Sequence, residues 1–188
     1  MASSPLKVLA LSGSLRAGSF NTAALRAAQE LAPEGMSIEI ASIADIPFYN
    51  GDVQAEGIPR SVTALAERIR AADALLIASP EYNYSISGVL KNTIDWLSRT
   101  PNQPFAGKPI ALMSASMSLL GGPRAQYDLR RSFVFLDGLP INRPEVFIAQ
   151  AHTRFDDKGR LTDEATRGFV AQLLEALATW TRRLQRAG

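Results

Sequence analysis

The sequence predicts an α/β domain in which a parallel sheet of five strands lies between two layers of helices. Two observations predict this architecture. The chain has 188 residues, with 46% apolar and 20% charged side chains, which is the size and composition of one globular domain. Short apolar runs also alternate with longer segments of helical periodicity along the whole chain. Strands that alternate with helices pair in parallel through right-handed crossovers, so we expect a doubly wound, three-layer α/β/α sandwich that spans residues 1–188.

The first three predicted strands are short and apolar. The run K-V-L-A-L (7–11) is bounded by Pro5 and Gly13 and predicts a buried strand. Residues 36–40 alternate apolar and polar side chains, and A-L-L-I-A (74–78) is again an apolar run. Between these strands, apolar residues recur three or four positions apart, which predicts helices over residues 20–32 and 61–72.

The second half of the chain continues the alternation. Residues 87–99 have a helical pattern that Thr100 and Pro101 end, and P-I-A-L-M (109–113) predicts the fourth strand. Pro123 opens a helix that runs towards Gly138, E-V-F-I-A (145–149) predicts the fifth strand, and the last helix spans residues 163–185. On that last helix we expect these apolar residues to face inward: Phe169, Leu173, Leu177, Trp180 and Leu184.

Composition excludes several classes of function. The 20 basic and 18 acidic side chains leave a net charge of +2, which is not the basic surface that nucleic-acid binding requires. The chain has no cysteine and one histidine, His152, so disulfides, thiol catalysis and cysteine or histidine metal sites are excluded. We expect His152 to be structural or solvated. No apolar run has transmembrane length and no secretory pattern opens the chain, so we expect a cytoplasmic protein without a membrane partner.

The loop after the first strand has the chemistry of a phosphate site. Residues 12–21 read S-G-S-L-R-A-G-S-F-N and lead to a helix start, where free N–H groups and the helix dipole favour anions. Arg16 adds a charged donor, and no carboxylate lies between residues 12 and 29. The loop lacks G-x-x-x-x-G-K-[ST], G-x-G-x-x-G and cysteine, which disfavours P-loop nucleotidases, dinucleotide-type Rossmann sites and low-molecular-weight phosphatases. The alternative is a helix-capping loop with a solvated Arg16.

The loop after the third strand suits a planar heteroaromatic ligand. Residues 79–88 read S-P-E-Y-N-Y-S-I-S-G, with two tyrosines at the edge of the sheet where ligands of such folds bind. The rings can contact a flat ligand, while turn amides and Asn83 meet its polar rim. The alternative is a turn whose tyrosines close the seam between helix and sheet. Together, the two loops fit a molecule with a phosphate tail and a flat redox-active head, and FMN has that form.

Several segments give the sequence a resemblance to a known family. G-S-L-R-A-G-S-F-N (13–21), P-E-Y-N-Y-S (80–85), L-K-N-T-I-D-W-L (90–97) and G-G-P-R-A-Q-Y (121–127) resemble, in order, the signatures of the NADPH-dependent FMN reductase family. Its chromate, quinone or ferric reductase branch is the most similar. The resemblance implies a flavodoxin-like fold with strand order 2-1-3-4-5 and tightly bound FMN. It implies that these residues contact the cofactor: Ser14, Leu15, Arg16, Gly18, Ser19, Phe20, Asn21, Pro80, Glu81, Tyr82, Asn83, Tyr84 and Ser116.

The resemblance assigns parts of the cofactor to these residues and implies an activity. The polar side chains of the first loop would hold the phosphate, residues 80–84 would border the isoalloxazine, and Ser116 would contact the flavin or its ribityl chain. NAD(P)H would deliver a hydride to flavin N5 and leave before a quinone, chromate or a ferric complex takes the electrons. We assign no catalytic acid, base or metal, because the flavin carries the hydride chemistry. The alternative is a flavodoxin-like electron carrier or flavin-binding module without turnover, although such carriers are usually strongly acidic.

Two residues depart from the family pattern. Ser87 stands where many relatives have proline, and we expect this change to loosen the turn beside the flavin. Ser118 stands where relatives often have glycine, which narrows the backbone conformations open to the loop. We expect both changes to affect the choice of acceptor rather than FMN binding.

Two helices carry more apolar side chains than one buried stripe requires. The first contains Trp96, and the second, which begins at Pro123, is apolar nearly all round. Both helices could simply be buried, but the surplus and the family resemblance together predict a homodimer, or a homotetramer made of two dimers. The polar contacts between dimers are expected from Arg124, Tyr127 and Glu145.

Overall fold

The computed structural model describes residues 5–187. Each of the five predicted strands and five predicted helices is present, with ends that differ from the predictions by a few residues. Further short elements appear between them. In chain order the elements are β1 (Leu6–Ser12), α1 (Phe20–Glu30), β2 (Met36–Ala41), α2 (Gly51–Glu56), α3 (Arg60–Ala71), β3 (Ala74–Ala78), β4 (Glu81–Tyr82), β5 (Ser85–Ile86), α4 (Gly88–Leu97), β6 (Pro109–Ala115), α5 (Pro123–Phe135), β7 (Leu139–Pro140), β8 (Val146–Ile148) and α6 (Glu164–Ala187).

The central sheet is parallel, with the order β2-β1-β3-β6 followed by an edge position that β7 and β8 share. Strand β7 pairs with the start of β6 through Pro109 and Leu139, and β8 pairs with its end through Met113 and Val146. This is the predicted 2-1-3-4-5 order, which is that of the flavodoxin-like sheet. The strand count differs, because the edge strand is interrupted between β7 and β8 by a segment that contains Pro144, a residue that cannot donate to a ladder.

The hydrophobic core lies on both faces of the sheet. Strands β3 and β6 are buried along their whole length, as expected for central parallel strands. One face packs against α1 and α6, mostly through small alanines of α1 and leucines of α6. The other face packs against α3, α4 and α5. The predicted three layers are therefore present, and the loops that leave β1, β3 and β6 emerge together at one edge.

Some side chains lie elsewhere than the periodicity predicts. Phe169 is exposed, whereas Leu173 and Leu177 of the same helix are buried as predicted. Trp96 is fully buried, and its indole Nε1 donates to the carbonyl oxygen of Pro47 at 2.9 Å. The expectation that Trp96 adds surplus surface to α4 is therefore wrong, because a segment distant in sequence covers it.

The helices can also be compared in length and hydropathy with a membrane-spanning segment. None of the helices within residues 5–187 is both long enough and apolar enough to cross a membrane.

Candidate active site

A cleft of about 360 Å³ opens where the loops after β1, β3 and β6 meet. The carboxyl ends of parallel strands are the usual ligand position in this class of fold. Most of the predicted contact residues lie in the cleft wall, together with Ala115 and Met117, which the sequence reasoning missed although they flank Ser116. The lining residues are Ser14, Arg16, Ser19, Phe20, Asn21, Pro80, Glu81, Tyr82, Ala115, Ser116 and Met117.

Four predicted contact residues lie in the same loops but outside this wall. They are Leu15, Gly18, Asn83 and Tyr84. Leu15 and Gly18 are exposed next to Arg16, and Asn83 and Tyr84 form the exposed tip of a hairpin. The hairpin therefore lines the cleft with its base, whereas the first loop lines it with Arg16 of its exposed part as well as with residues of its two ends.

The first loop presents an electropositive helix start to the cleft. Ser19 is the N-cap of α1 and its Oγ accepts from the backbone N of Thr22 at 3.4 Å. The first turn of α1 has no acidic residue, so its free N–H groups keep their affinity for an anion. The guanidinium of Arg16 donates to the carbonyl oxygen of Gly18 at 2.9 Å. Within residues 5–187, no carboxylate oxygen lies within 4.0 Å of Arg16, so its charge is available to a ligand.

Asn21 contributes to the cleft through its position. Its Nδ2 donates to the carbonyl oxygen of Ala115 at 3.0 Å, and its Oδ1 accepts from the N–H of Ala115 at 2.9 Å. The amide is buried and both of its ends are engaged. Asn21 thus joins the start of α1 to the end of β6, which fixes the phosphate-type loop against Ser116.

The second loop is a two-residue hairpin. Strands β4 and β5 pair through Tyr82 and Ser85, and the turn residues Asn83 and Tyr84 have φ of 49° and 70°. Positive φ at both central residues defines a type I′ turn, which matches the twist of a hairpin. Tyr82 and Tyr84 are exposed, so these rings do not close a seam between helix and sheet.

Glu81 supplies the start of α5 with an acceptor. One carboxylate oxygen accepts from the backbone N of Arg124 at 2.9 Å, and the other accepts from the Arg124 guanidinium at 2.9 Å. A carboxylate at a helix N-terminus is stabilised by the helix dipole. Ser85 also donates to Asp128 of α5 at 2.5 Å, and this hydrogen bond lowers the pKa of Asp128 below its usual value. The hairpin is therefore tied to α5 at both of its strands.

Ser87 connects the first and second loops. Its buried Oγ donates to the carbonyl oxygen of Gly13 at 2.6 Å. This hydrogen bond ties the turn directly to the first loop, which argues against the expected loosening. The expected effect of Ser87 on the choice of acceptor stays a prediction.

The loop after β6 is held by its own serines. Ser116 Oγ donates to Ser118 Oγ at 3.1 Å and accepts from the backbone N of Ser118 at 3.1 Å. Ser118 has no positive φ, so the change from glycine adds no backbone strain there. Met117 lies between them and is exposed at the mouth of the cleft. His152 is exposed on a short 3₁₀ turn and does not line the cleft.

The comparison with known families decides the family to which this chain belongs. The family model for the NADPH-dependent FMN reductases matches residues 6–153, which include every residue of the cleft wall. The chain belongs to the NADPH-dependent FMN reductase family. As a member of this family it is an NAD(P)H-dependent flavin oxidoreductase with FMN as its cofactor.

Relatives of this FMN reductase cover nearly its whole length. An NAD(P)H-dependent FMN reductase of Pseudomonas aeruginosa is 57% identical over 183 residues, covering 97% of this chain and 99% of that protein. A quinone reductase of Escherichia coli K12 is 46% identical over 186 residues, covering 97% and 99%. Among solved structures, the flavoenzyme NAD(P)H:(acceptor) oxidoreductase of Paracoccus denitrificans superposes with a TM-score of 0.85 at 34% identity, covering 95% and 98%.

The donor set of this FMN reductase fits a flavin mononucleotide. A phosphate dianion requires several convergent donors and positive charge, and the first loop offers hydroxyls, helix N–H groups and the unpaired Arg16. The remaining wall, from Pro80 to Tyr82 and from Ala115 to Met117, combines apolar surface with backbone polar groups, as a flat heteroaromatic ligand requires.

Proposed function

We propose that this chain transfers two electrons from NAD(P)H to quinones through FMN bound in the cleft, with residues 1–188 acting as one FMN-binding domain. One observation carries the proposal: an acid-free helix start with an unpaired Arg16 lies in the same cleft as the tyrosine hairpin and the loop after β6. The relatives named as FMN and quinone reductases support the same activity.

The phosphate would be held by the first loop. Ser14 and Ser19 would donate their hydroxyls, Arg16 would donate from its guanidinium, and the first N–H groups of α1 would complete the shell. Asn21 would keep this loop in register with β6 through its two bonds to Ala115. A preorganised shell of this kind loses little entropy when the ligand binds.

The ring would lie between the hairpin and the loop after β6. Pro80 and Tyr82 would contact one side, and Ser116 and Met117 the other. Glu81 lines this part of the cleft, but its carboxylate is turned to Arg124 and to the α5 amides, so it leaves no uncompensated negative charge beside the ring. When bound, FMN supplies two-electron chemistry in which NAD(P)H and the acceptor are used one after the other.

The rim of the cleft favours an uncharged, planar acceptor. Tyr82 and Met117 line the mouth and are largely exposed. A quinone ring that covered them would remove apolar surface from water, which favours binding. Arg16 is the cation in the described wall, and the phosphate would use it. A chromate dianion or an anionic ferric chelate would find no further positive charge there, so we expect both to be poorer acceptors than quinones.

Reconstitution with FMN tests the proposal. Purified chain freed of cofactor is titrated with FMN, and NADPH oxidation is then followed with benzoquinone, chromate and ferric citrate as acceptors. We expect saturable FMN binding and steady oxidation that is fastest with benzoquinone. A chain that binds FMN but shows no turnover would be an electron carrier or storage protein, and a chain that binds no FMN would contradict the proposal as a whole.

A further inference from the structure

The turn of the cleft hairpin holds two residues in an unfavourable backbone conformation. Asn83 and Tyr84 both have positive φ, at 49° and 70°. Asparagine tolerates this region, but a bulky aromatic residue does so rarely, and such a residue persists only where surrounding contacts over-determine it. Tyr84 is exposed, so burial in the core does not hold it. Some other contact must keep the turn in this shape.

Arg124 makes that contact. Its guanidinium carbon lies 3.9 Å from the centroid of the Tyr84 ring, which is close range for a cation–π stack. The same guanidinium donates to Oε1 of Glu81 at 2.9 Å. One side chain of α5 therefore contacts both the first strand of the hairpin and its turn. Glu81 is itself fixed by the backbone N–H groups of Arg124 and Ala125, at 2.9 Å and 3.4 Å.

We propose that Arg124 is a positioning residue for the flavin site, which holds the hairpin 81–86 in its cleft-facing shape through Glu81 and Tyr84 before any cofactor binds. The inference rests on the proposed function, because Glu81 and Tyr82 belong to the wall that would border the ring. Lysine cannot replace Arg124 in this role, since an ammonium group lacks the planar face that stacks on Tyr84 while its edge pairs with Glu81.

The test compares Arg124→Lys with Arg68→Lys. Arg68 pairs with Glu39 at 2.7 Å and is 40% exposed, whereas Arg124 is 38% exposed in its pair with Glu81, so the two changes are matched in chemistry but not in location. Amide hydrogen exchange of residues 82–86 is measured in the cofactor-free chain. Arg124→Lys should speed this exchange about two- to fivefold, the scale of a cation–π contact at an exposed site, and Arg68→Lys should leave it unchanged.

Titration with two flavins separates positioning from fold. FMN and riboflavin share the ring and differ in the phosphate, so Arg124→Lys should weaken binding of both by a similar factor, about two- to fivefold. Tyr84→Phe keeps the ring and should behave as wild type, whereas Tyr84→Leu removes it and should reproduce the Arg124→Lys effects with a urea midpoint close to that of wild type.

Three results are decisive. Unchanged exchange and unchanged affinities in both Arg124→Lys and Tyr84→Leu would overturn the inference. Faster exchange with unchanged affinities would also overturn it, because Arg124 would then serve the fold alone. A wild-type chain that binds neither flavin would instead refute the proposed function, and this outcome is recognised before any variant is made.

Discussion

Arg16 is the residue on which the proposed phosphate site depends most. Its guanidinium has one hydrogen bond, to the carbonyl oxygen of Gly18 at 2.9 Å, and it lines the cleft beside Ser14 and Ser19. A charged donor that already lies at the binding position of an anion needs little reorganisation to bind that anion. The sequence predicted this role because no acid occurs nearby, and the structure adds that no carboxylate within residues 5–187 pairs with this guanidinium.

Replacement of Arg16 by alanine should weaken FMN binding by about 1.5–3 kcal/mol, the usual scale for a charge-assisted hydrogen bond. Riboflavin has no phosphate, so its affinity should not change. Fluorescence titration of the cofactor-free protein with each flavin measures both constants. An equal loss for the two flavins would show that Arg16 acts on the ring or on the fold, and an unchanged FMN constant would show that the phosphate binds elsewhere.

Gly13 occupies the point where the first two loops approach each other most closely. A Cβ built at Gly13 would lie 3.1 Å from Pro80 Cδ, from Ser79 Oγ and from Ser87 Oγ. Close packing, rather than a left-handed backbone, therefore favours glycine at this position. Gly18 belongs to the same loop, yet a Cβ there would meet no atom within 4 Å.

The pair Gly13→Ala and Gly18→Ala separates these two requirements. Gly13→Ala should lower the free energy of unfolding by about 1–3 kcal/mol, as other overpacked sites do, and should weaken FMN binding because it pushes the loops apart. Gly18→Ala should stay within about 0.5 kcal/mol of wild type. Urea unfolding of both proteins measures the difference. Equal stabilities would mean that the two loops separate freely and that the cleft is not preorganised.

At the scale of secondary structure, the sequence could predict the elements whose buried residues form a regular local pattern of apolar side chains. β3 agrees residue for residue with the apolar run 74–78, because a strand buried on both faces requires an unbroken apolar run. Strands β4, β5 and β7 have two residues each, which is too short for a recognisable hydrophobic pattern. They form because distant residues contact them: Asp128 bonds Ser85 of β5, and Ile110 pairs with Pro140 of β7.

Two side chains show what local pattern leaves out. The amide of Asn21 is engaged by Ala115, which lies 94 positions away in the chain, and Trp96 is covered by Pro47, which lies 49 positions away. Residue type and spacing predicted that these loops meet at one ligand site, and residues of both loops line the same cleft. They could not predict which side chains the fold would use for its own hydrogen bonds, because those bonds join segments that only the folded sheet brings together.

The carboxylate of Asp163, at the start of α6, should make the free energy of unfolding depend on pH in acid. Asp163 precedes α6, and its Oδ2 accepts from the hydroxyl of Thr166 at 2.6 Å and from its backbone N at 2.9 Å, while Arg154 pairs with Oδ1 at 2.6 Å. The Thr166 hydrogen bonds, and then Arg154, lower the pKa of Asp163. The folded state therefore favours the ionised form of this residue.

A lowered folded-state pKa gives a definite sign to the pH dependence. The stabilisation is fully present above the unfolded pKa of about 3.9 and is lost as the pH falls through the lower folded pKa. Asp163→Asn should therefore flatten the fall in urea midpoint between about pH 5 and pH 3, without abolishing it, because Asp128 and Asp156 also have lowered pKa values. A variant whose midpoint falls as steeply as that of wild type would assign the acid sensitivity to the other carboxylates.

At the scale of the whole molecule, the end of α5 is the part of the described surface that a second subunit would explain best. Val134 and Phe135 are 81% and 91% exposed, although neighbouring Leu129 and Phe133 of the same helix are buried. Arg124 and Tyr127 of this helix have neighbours within the chain: Arg124 pairs with Glu81, and the nearby carboxylate of Glu145 raises the pKa of Tyr127. We propose that the assembly is a homodimer or homotetramer and that its apolar contact includes this helix end.

Substitution of both exposed side chains tests the assembly. Burial of a phenylalanine and a valine at an interface is worth about 1.5–3 kcal/mol each, and a charge placed there would also have to be desolvated. Val134→Glu with Phe135→Glu should therefore lower the mass measured by sedimentation velocity at micromolar concentration, with the FMN absorbance retained. Phe169→Glu is the control, because this exposed phenylalanine lies on α6, in the other helical layer, and should leave the mass unchanged. If the mass stayed that of wild type in the double variant, the interface would lie elsewhere, and a monomeric wild-type protein would refute the assembly itself.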